Sequence, residues 1–356
     1  MLYYVVFLLF CCFAFIEIIL KQPKLKYLAI FFICVSALIV ISGFRKNIGY
    51  DYDNYVEMYS LNTDIWYFTV VEPSFSLLVI LFNYFKLGFN ALLLFFAFFA
   101  IFLKARFVLN FSPYIFFSLL VYIPLGFLTS DMGQIRHGLA LAFILIAFGN
   151  LFYDRFRKFW IFLALGCFFH LSAIIVIPAY YLCKKKVSNI ALLFFLVLAF
   201  PFVFLDLKTL LYTYSSFLPS QLDSKVVFYT NSDDFGKNLG INVSLMIRLS
   251  IFGLLMFFEK AASDIPYYRT ILILYFYGIL VYLIFNSISG FAIRGSLYFK
   301  MLELIIFPIL VSFGRRWYDK IFIASFFILY TFWSIINFFS DPAVSNQYIP
   351  YNSILF

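Results

Sequence analysis

The chain has 356 residues, of which 65% are hydrophobic, 24% aromatic and only 12% charged, far from the globular average, and no soluble core absorbs that much apolar surface. A net charge of +9 would suit a nucleic-acid partner, but the basic residues sit in short loops between apolar runs, where they set orientation in a membrane. With no polar stretch long enough for a separate soluble domain, residues 1–356 read as a single integral membrane domain, all-α and polytopic.

In chain order, residues 1–20 are apolar but lack a basic leader and a small-residue cleavage site, so they are expected to be a retained first span. Further spans are expected near 27–43, 88–103, 113–129, 134–152, 158–170, 171–183, 190–206, 241–258, 269–286, 296–313 and 320–338, which gives a bundle of about twelve when buried spans are allowed to be short. The five cysteines, Cys11, Cys12, Cys34, Cys167 and Cys183, lie in or beside apolar segments without metal-ligand spacing and are expected to pack.

Segment 74–86 decides the topology. If it crosses, the Lys184-Lys185-Lys186 cluster faces outward together with Arg315, Arg316 and Lys320, against the positive-inside bias. As a re-entrant or interfacial helix, which is allowed where it lines a protein cavity, it leaves Lys21, Lys24, Lys26, Lys104, Arg106, Arg155, Arg157, Lys158, Lys260 and Arg269 in cytoplasmic loops as well. Both termini are then outside. The polar segments 44–73, 129–137, 207–240, 287–295 and 340–356 all fall on the external face, with the main external loops near 44–73 and 207–240.

The first of these loops reads Phe44-Arg45-Lys46-Asn47-Ile48-Gly49-Tyr50-Asp51-Tyr52-Asp53-Asn54-Tyr55 and closes at Glu72-Pro73. Arg45 and Lys46 can cap the preceding helix and the tyrosines can form an interfacial belt; alternatively the loop contacts a ligand. Asp51 and Asp53 spell an Asp-x-Asp pair, a metal-nucleotide motif in other sugar-transferring enzymes, but an external face has no nucleotide-sugar pool, and no metal or other cofactor is expected. Gln134-Ile135-Arg136-His137 opens the next span and puts Arg136 in a first helical turn, where the dipole opposes a cation. Either a nearby acid such as Asp131 pairs with it, or an anionic ligand does. His170, between two short apolar half-segments, is either a satisfied core residue or a proton-transfer group. Arg294 precedes Tyr298 at another external helix start, and loop 207–240 carries Lys225, Tyr229 and Lys237, as a lid or as a solvated connection. Arg45, Arg136 and Arg294 thus converge on one face, and guanidinium forks match phosphate oxygens. Asp51, Glu72 and His170 are candidate bases for a hydroxyl nucleophile, and Tyr52 and Tyr55 suit stacking on a sugar.

The ordered set Phe44-Arg45-x₃-Gly49-x-Asp51-Tyr52-x-x-Tyr55, Glu72-Pro73, Gln134-Ile135-Arg136, Phe169-His170-x-Ser172-Ala173 and Arg294-x₃-Tyr298-Phe299 resembles the EpsG/Wzy-type polysaccharide polymerases over most of the chain. The resemblance implies a GT-C-like membrane glycosyltransferase, independent of metal and nucleotide. It would join undecaprenyl-pyrophosphate-linked oligosaccharide repeat units into O-antigen, capsule or exopolysaccharide on the outer face of the bacterial cytoplasmic membrane, with a chain-length regulator as partner. The arginines would hold the pyrophosphate, an acid or His170 would activate the acceptor, and Gln134, Lys225, Tyr229 and Tyr298 would contact sugar or lipid. His137 departs from the glutamine expected there. The competing readings are a flippase for the same lipid-linked sugars, for which no internal repeat is evident, and an acyltransferase or a glycan ligase.

Overall fold

The computed structural model describes residues 1–20, 22–61, 73–185, 187–214, 227 and 236–355. Among them the chain is helical and contains no strand, with one isolated backbone bridge between Arg45 and Ser353. The apolar segments carry helices α1 (Leu2–Leu20), α2 (Leu28–Gly43), α5 (Phe89–Phe111), α6 (Ile115–Tyr122), α7 (Ile135–Phe152), α8 (Phe156–Phe169), α9 (Ile177–Lys184), α10 (Asn189–Ala199), α12 (Val243–Phe257), α13 (Tyr268–Ile284), α14 (Ser289–Lys300), α15 (Glu303–Ser312) and α16 (Trp317–Ser340). Between and after them lie α3 (Tyr52–Leu61), α4 (Pro73–Tyr84), α11 (Leu207–Tyr214) and α17 (Pro342–Tyr348).

By length and composition five of these helical stretches can cross a membrane alone, Leu2–Leu20, Lys24–Gly43, Phe89–Phe111, Ile135–Phe152 and Trp317–Ser340, or six if α14 and α15 form one span. The remaining apolar helices are shorter. Helix α4, the segment on which the topology turned, has 12 residues and so reaches only about 18 Å at 1.5 Å per residue.

Two compact units emerge. The first comprises Met1–Gly149, Arg157–Leu171 and Glu303–Phe356, and the second Asn150–Phe156 and Ser172–Leu302. In the first unit α2 packs along α5, α1 along α6, and α15 and α16 close over them. Glu17, near the end of α1, is buried, and its two carboxylate oxygens accept from Ile115 N at 2.7 Å and Phe116 N at 2.9 Å. The carboxylate satisfies amides that open α6 and sits on the positive end of its dipole, which explains an acid in an otherwise apolar run. Ser118 Oγ donates to Leu304 O at 2.6 Å and ties α6 to α15.

Helix α6 does not end at Tyr122. It widens into a π-helix over Ile123–Asp131, where Met132 N bonds Phe127 O, five residues back, at 2.9 Å. Pro124 cannot donate to a carbonyl four residues earlier, which breaks the α-type ladder at the point where the coil widens.

Lys104 and Arg106 correct the loop assignment. Helix α5 continues past both to Phe111. Arg106 lies exposed along it, but Lys104 is 1% exposed and forms a salt bridge with Asp131, whose other oxygen accepts from the Tyr122 hydroxyl. A charge met while counting apolar residues ended the predicted span early, whereas its buried partner lies 27 residues on.

In the second unit α13 packs against α9, α12 and α14. The predicted span 296–313 divides into α14 and α15, so Arg294 lies inside a helix and not ahead of it. Arg269 Nη1 pairs with Glu259 Oε1 at 2.8 Å and bonds Asn189 Oδ1, its Nη2 takes Val187 O, and Asn189 Nδ2 returns to Glu259 Oε2 at 2.7 Å. This closed network joins the starts of α10 and α13.

Breaking a buried pair from one side strands the other charge. Lys104→Met is expected to destabilise the protein by about 3–5 kcal/mol, and adding Asp131→Asn should recover most of the loss. Thermal unfolding in detergent checks this, with Arg106→Met as the control that leaves the transition unmoved.

Candidate functional site

The first unit builds its site on the loop that leaves α2. Arg45 turns back on that helix, its Nε donating to Ile48 O at 3.0 Å and its Nη1 to the Ser42 carbonyl. A cation on the last carbonyls of a helix is favoured by the dipole, so the capping role considered for Arg45 is realised in its contacts. The side chain is 1% exposed, and its Nη2 is buried without a hydrogen-bond partner among the described residues. Burial pulls the guanidinium below its ordinary pKa range, while the phenols of Tyr348, Tyr52, Tyr55 and Tyr3 oppose the shift.

The C-terminal tail holds this loop in place. Lys46 N donates to Asn352 O at 3.1 Å, Gly49 N to Gln347 O at 3.2 Å, and Ile354 N to Phe44 O at 3.0 Å. The Tyr348 ring is fully buried, its hydroxyl donates to Leu128 O of the π-helix at 2.9 Å, and it meets the Tyr50 ring in an edge-type contact with centroids 5.5 Å apart.

Opposite the loop lies the start of α7. Gly49 has φ +107° and its Cα faces Met132 O so closely that a Cβ would land on that oxygen, while Gly133 leaves room for the Tyr50 ring. Only glycine tolerates both the left-handed backbone and the contact. Ser42 Oγ donates to Asp131 O at 3.0 Å, so the residue that accepts Arg45 also fixes the last residue of the π-helix. The Asp131 carboxylate, considered as a partner of Arg136, is instead engaged by Lys104 and Tyr122.

Arg136 is the second residue of α7 and half-buried. Its Cζ lies 5.6 Å from the ring centres of both Tyr55 and Phe75, and those rings are 5.6 Å apart, so the guanidinium rests on two aromatic faces. Burial holds the Tyr55 phenol above its ordinary pKa, with the Arg136 charge pulling it back and Asp51 pushing it further up. Asp51 is half-buried, and its carbonyl accepts from Tyr55 N at 3.0 Å to start α3. Tyr52, on the same helix, is buried against Phe89 at 5.5 Å. Gln134, half-buried, accepts from Gly138 N at 2.8 Å in the first turn of α7.

His137 and His170, the only two histidines of the chain, bring their ring centroids within 4.9 Å. His170 terminates α8, its N bonding Gly166 O at 2.9 Å, and is half-buried, whereas His137 is fully buried. Phe75, Phe96 and Phe169 form a run of ring contacts, each 6.1 Å from the next, that ends beside His170 in sequence. The first turn of α7 therefore carries a cation on aromatic faces and an imidazole that meets the one ending α8.

A family model described as the EpsG family matches residues 28–353. This chain belongs to the EpsG family. It is also 25% identical over 353 residues, spanning 94% of this chain and 88% of the relative, to the amylovoran biosynthesis protein AmsC of Erwinia amylovora. No solved structure matches.

Of the remaining site residues expected in this EpsG-family protein, Arg294 and Tyr298 belong to the second unit. Arg294 is half-buried on α14, and Tyr298 is fully buried with its hydroxyl 2.9 Å from Ser172 Oγ. Glu72, Lys225 and Tyr229 lie outside the described residues. Among the described residues no three His, Cys, Asp or Glu side chains cluster to hold a metal ion. Sequence reading passed over His137 as a contributor, although its adjacency to Arg136 was a usable signal. It also passed over Tyr348, which no local pattern marks.

The two positive-φ glycines separate strain from crowding. Gly240→Ala, at φ +58° with open space around it, should cost only the left-handed penalty of about 1–2 kcal/mol. Gly49→Ala should cost more, because its Cβ also meets Met132 O. Melting temperatures of the two variants should fall in that order, and equal losses would count against the close approach.

Proposed function

We propose that this EpsG-family protein is a membrane polymerase that joins lipid-linked oligosaccharide repeat units into an extracellular or cell-surface polysaccharide. The observation that carries the reading furthest is Arg136: a guanidinium in a first helical turn, where the dipole opposes it, laid across Tyr55 and Phe75 beside an imidazole pair. An anion brought to that point is attracted by the helix end and by the fork together.

In this reading the protein threads the bacterial cytoplasmic membrane with about twelve spans, several of them short and buried in the bundle. Helix α4 stays re-entrant or interfacial, the arrangement is GT-C-like, and both termini and the site face outward. The donor is a growing chain on undecaprenyl pyrophosphate and the acceptor a new lipid-linked unit. The acceptor hydroxyl at the non-reducing end attacks the anomeric carbon, the bond to the pyrophosphate oxygen breaks, and the lipid pyrophosphate leaves with that electron pair. Neither nucleotide nor metal is needed. Arg136 in the first unit and Arg294 in the second each serve to bind the pyrophosphate of a lipid-linked substrate, the one at the leaving group stabilising charge as it develops. Asp51, Glu72 or His170 takes the hydroxyl proton, and the contact between His137 and His170 supports His170 in that role, since a neighbouring ring fixes its orientation. Arg45, buried on backbone carbonyls, serves by bracing the loop that carries Asp51, Tyr52 and Tyr55. Gln134, Lys225, Tyr229 and Tyr298 complete the sugar and lipid contacts, and a chain-length regulator is the expected partner. The relative AmsC, a protein of amylovoran biosynthesis, supports a polysaccharide product.

The test is a gel of surface polysaccharide from the host lacking the gene, with the wild type, Arg136→Ala and Arg294→Ala reintroduced. The long ladder should vanish in the deletion and stay absent with either variant, while a single repeat unit still reaches the surface. Loss of every unit from the surface would instead mark a transporter or an earlier enzyme.

A further inference from the structure

The second unit holds a buried cation that no site described so far uses. Arg248 is the sixth residue of α12 (Val243–Phe257), set in the run Leu245-Met246-Ile247-Arg248-Leu249-Ser250-Ile251-Phe252, roughly 8 Å inside the helix at 1.5 Å per residue. It is 4% exposed. Its Nε is buried with no hydrogen-bond partner, and among the described residues it forms no salt bridge. Among the described residues its charge is compensated by the ring of Tyr282, with Cζ 4.6 Å from the centroid.

The polar groups that surround the hydroxyl end of Tyr282 are neutral. Asn242 caps α12, its Oδ1 accepting from Leu245 N at 2.9 Å, and its Nδ2 meets the Tyr282 hydroxyl at 2.8 Å. One turn beyond Tyr282, Asn286 Nδ2 donates to Gly240 O at 3.2 Å, while Asn286 Oδ1 and Ser287 Oγ are buried with no hydrogen-bond partner among the described residues. The described acids of this unit are placed elsewhere. Glu259 is taken by Arg269, Asp206 caps its own turn through Thr209 at 2.7 Å, and Asp154 and Asp264 are exposed, the latter past the far end of α12.

A buried guanidinium seated on a tyrosine ring, with no carboxylate partner among the described residues, calls for an anion, because a desolvated charge is tolerated only when paired. The anion must carry several oxygens for the fork and must reach apolar depth, which a freely hydrated ion does not do readily. A pyrophosphate carried on an isoprenoid chain meets both conditions. We propose that Arg248, seated on Tyr282, binds the pyrophosphate of a lipid-linked substrate, as a binding residue of the second unit additional to Arg294. The proposal rests on the reading of the protein as acting on lipid-linked pyrophosphates, and in the orientation given above Arg248 lies in the outer half of its helix.

The test uses the full chain in nanodiscs of phosphatidylcholine alone and titrates farnesyl pyrophosphate, with farnesol and inorganic pyrophosphate as comparison probes. Wild type should bind farnesyl pyrophosphate at least tenfold more tightly than either probe. Arg248→Leu should lose that binding at least tenfold while melting no lower than wild type, since it removes an unpaired buried charge. Arg248→Lys, which keeps the charge but not the fork, should fall between them and guards against a folding defect in the leucine variant. Unchanged binding in both folded variants overturns the proposal, as does inorganic pyrophosphate binding as tightly as the farnesyl ester. The polysaccharide gel separates the two readings. Farnesyl pyrophosphate bound through Arg248 in a protein whose deletion leaves the ladder intact would sink the polymerase and keep this site. A lost ladder with normal binding by Arg248→Leu would do the reverse.

Discussion

The first unit is organised around one buried carboxylate. Asp131 closes the π-helix that extends α6, and it receives Lys104 from α5 and the Tyr122 hydroxyl from α6, while its carbonyl receives Ser42 from the end of α2. Three separate stretches of chain therefore meet at a residue four positions before α7 begins. In a low-dielectric interior such a group is strongly stabilised when every partner is present and costly when one is missing. The geometry of the α7 start, and of Arg136 within it, inherits that all-or-none character.

Around this point the loop after α2 and the C-terminal tail hold one another. Arg45 bonds carbonyls at the end of α2 and within the loop, the tail adds backbone bonds at Lys46, Gly49 and Phe44, and Tyr348 reaches the π-helix. Arg45 and Arg136, alike as residues in apolar surroundings, have diverged in role. One spends its donors on the backbone, and the other lies on aromatic faces at a helix end. Position in sequence does not distinguish them, but the direction of the dipole does: Arg45 follows a helix C-terminus and Arg136 enters an N-terminus.

That contrast explains what was legible in the sequence. Apolar runs announced the helices, and the places where a short polar motif interrupts them, at Arg136 and at His170, marked the half-buried residues of the first unit. Lys104, Glu17 and Arg248 were not legible, for a shared reason. Each is an ionisable residue inside or close to an apolar run, and its meaning lies in what faces it across the bundle: Asp131 for Lys104, the α6 amides for Glu17, and the Tyr282 ring for Arg248. Local pattern supplies the run but not the facing residue, so a charge reads as the end of a span or is passed over. Tyr348 escaped for the complementary reason, because its partners are Leu128 and Tyr3, hundreds of residues earlier in the chain.

Sorting the buried charges by partner separates scaffold from site. Glu17 has amides, Lys104 has Asp131, and Arg269, more exposed, has Glu259 together with a side-chain amide and a backbone carbonyl. Each of these is satisfied within the protein and needs nothing more. Arg248 has an aromatic face alone among the described residues, and a ring quadrupole offers a guanidinium far less than the water it has given up. A membrane protein that keeps such a residue at depth carries a standing electrostatic cost, and in the proposal made for Arg248 a bound anion relieves it. The same term that destabilises the empty site therefore adds to the affinity of the filled one, which is how a weakly hydrated fork can select a lipid-borne pyrophosphate over the zwitterionic lipids around it.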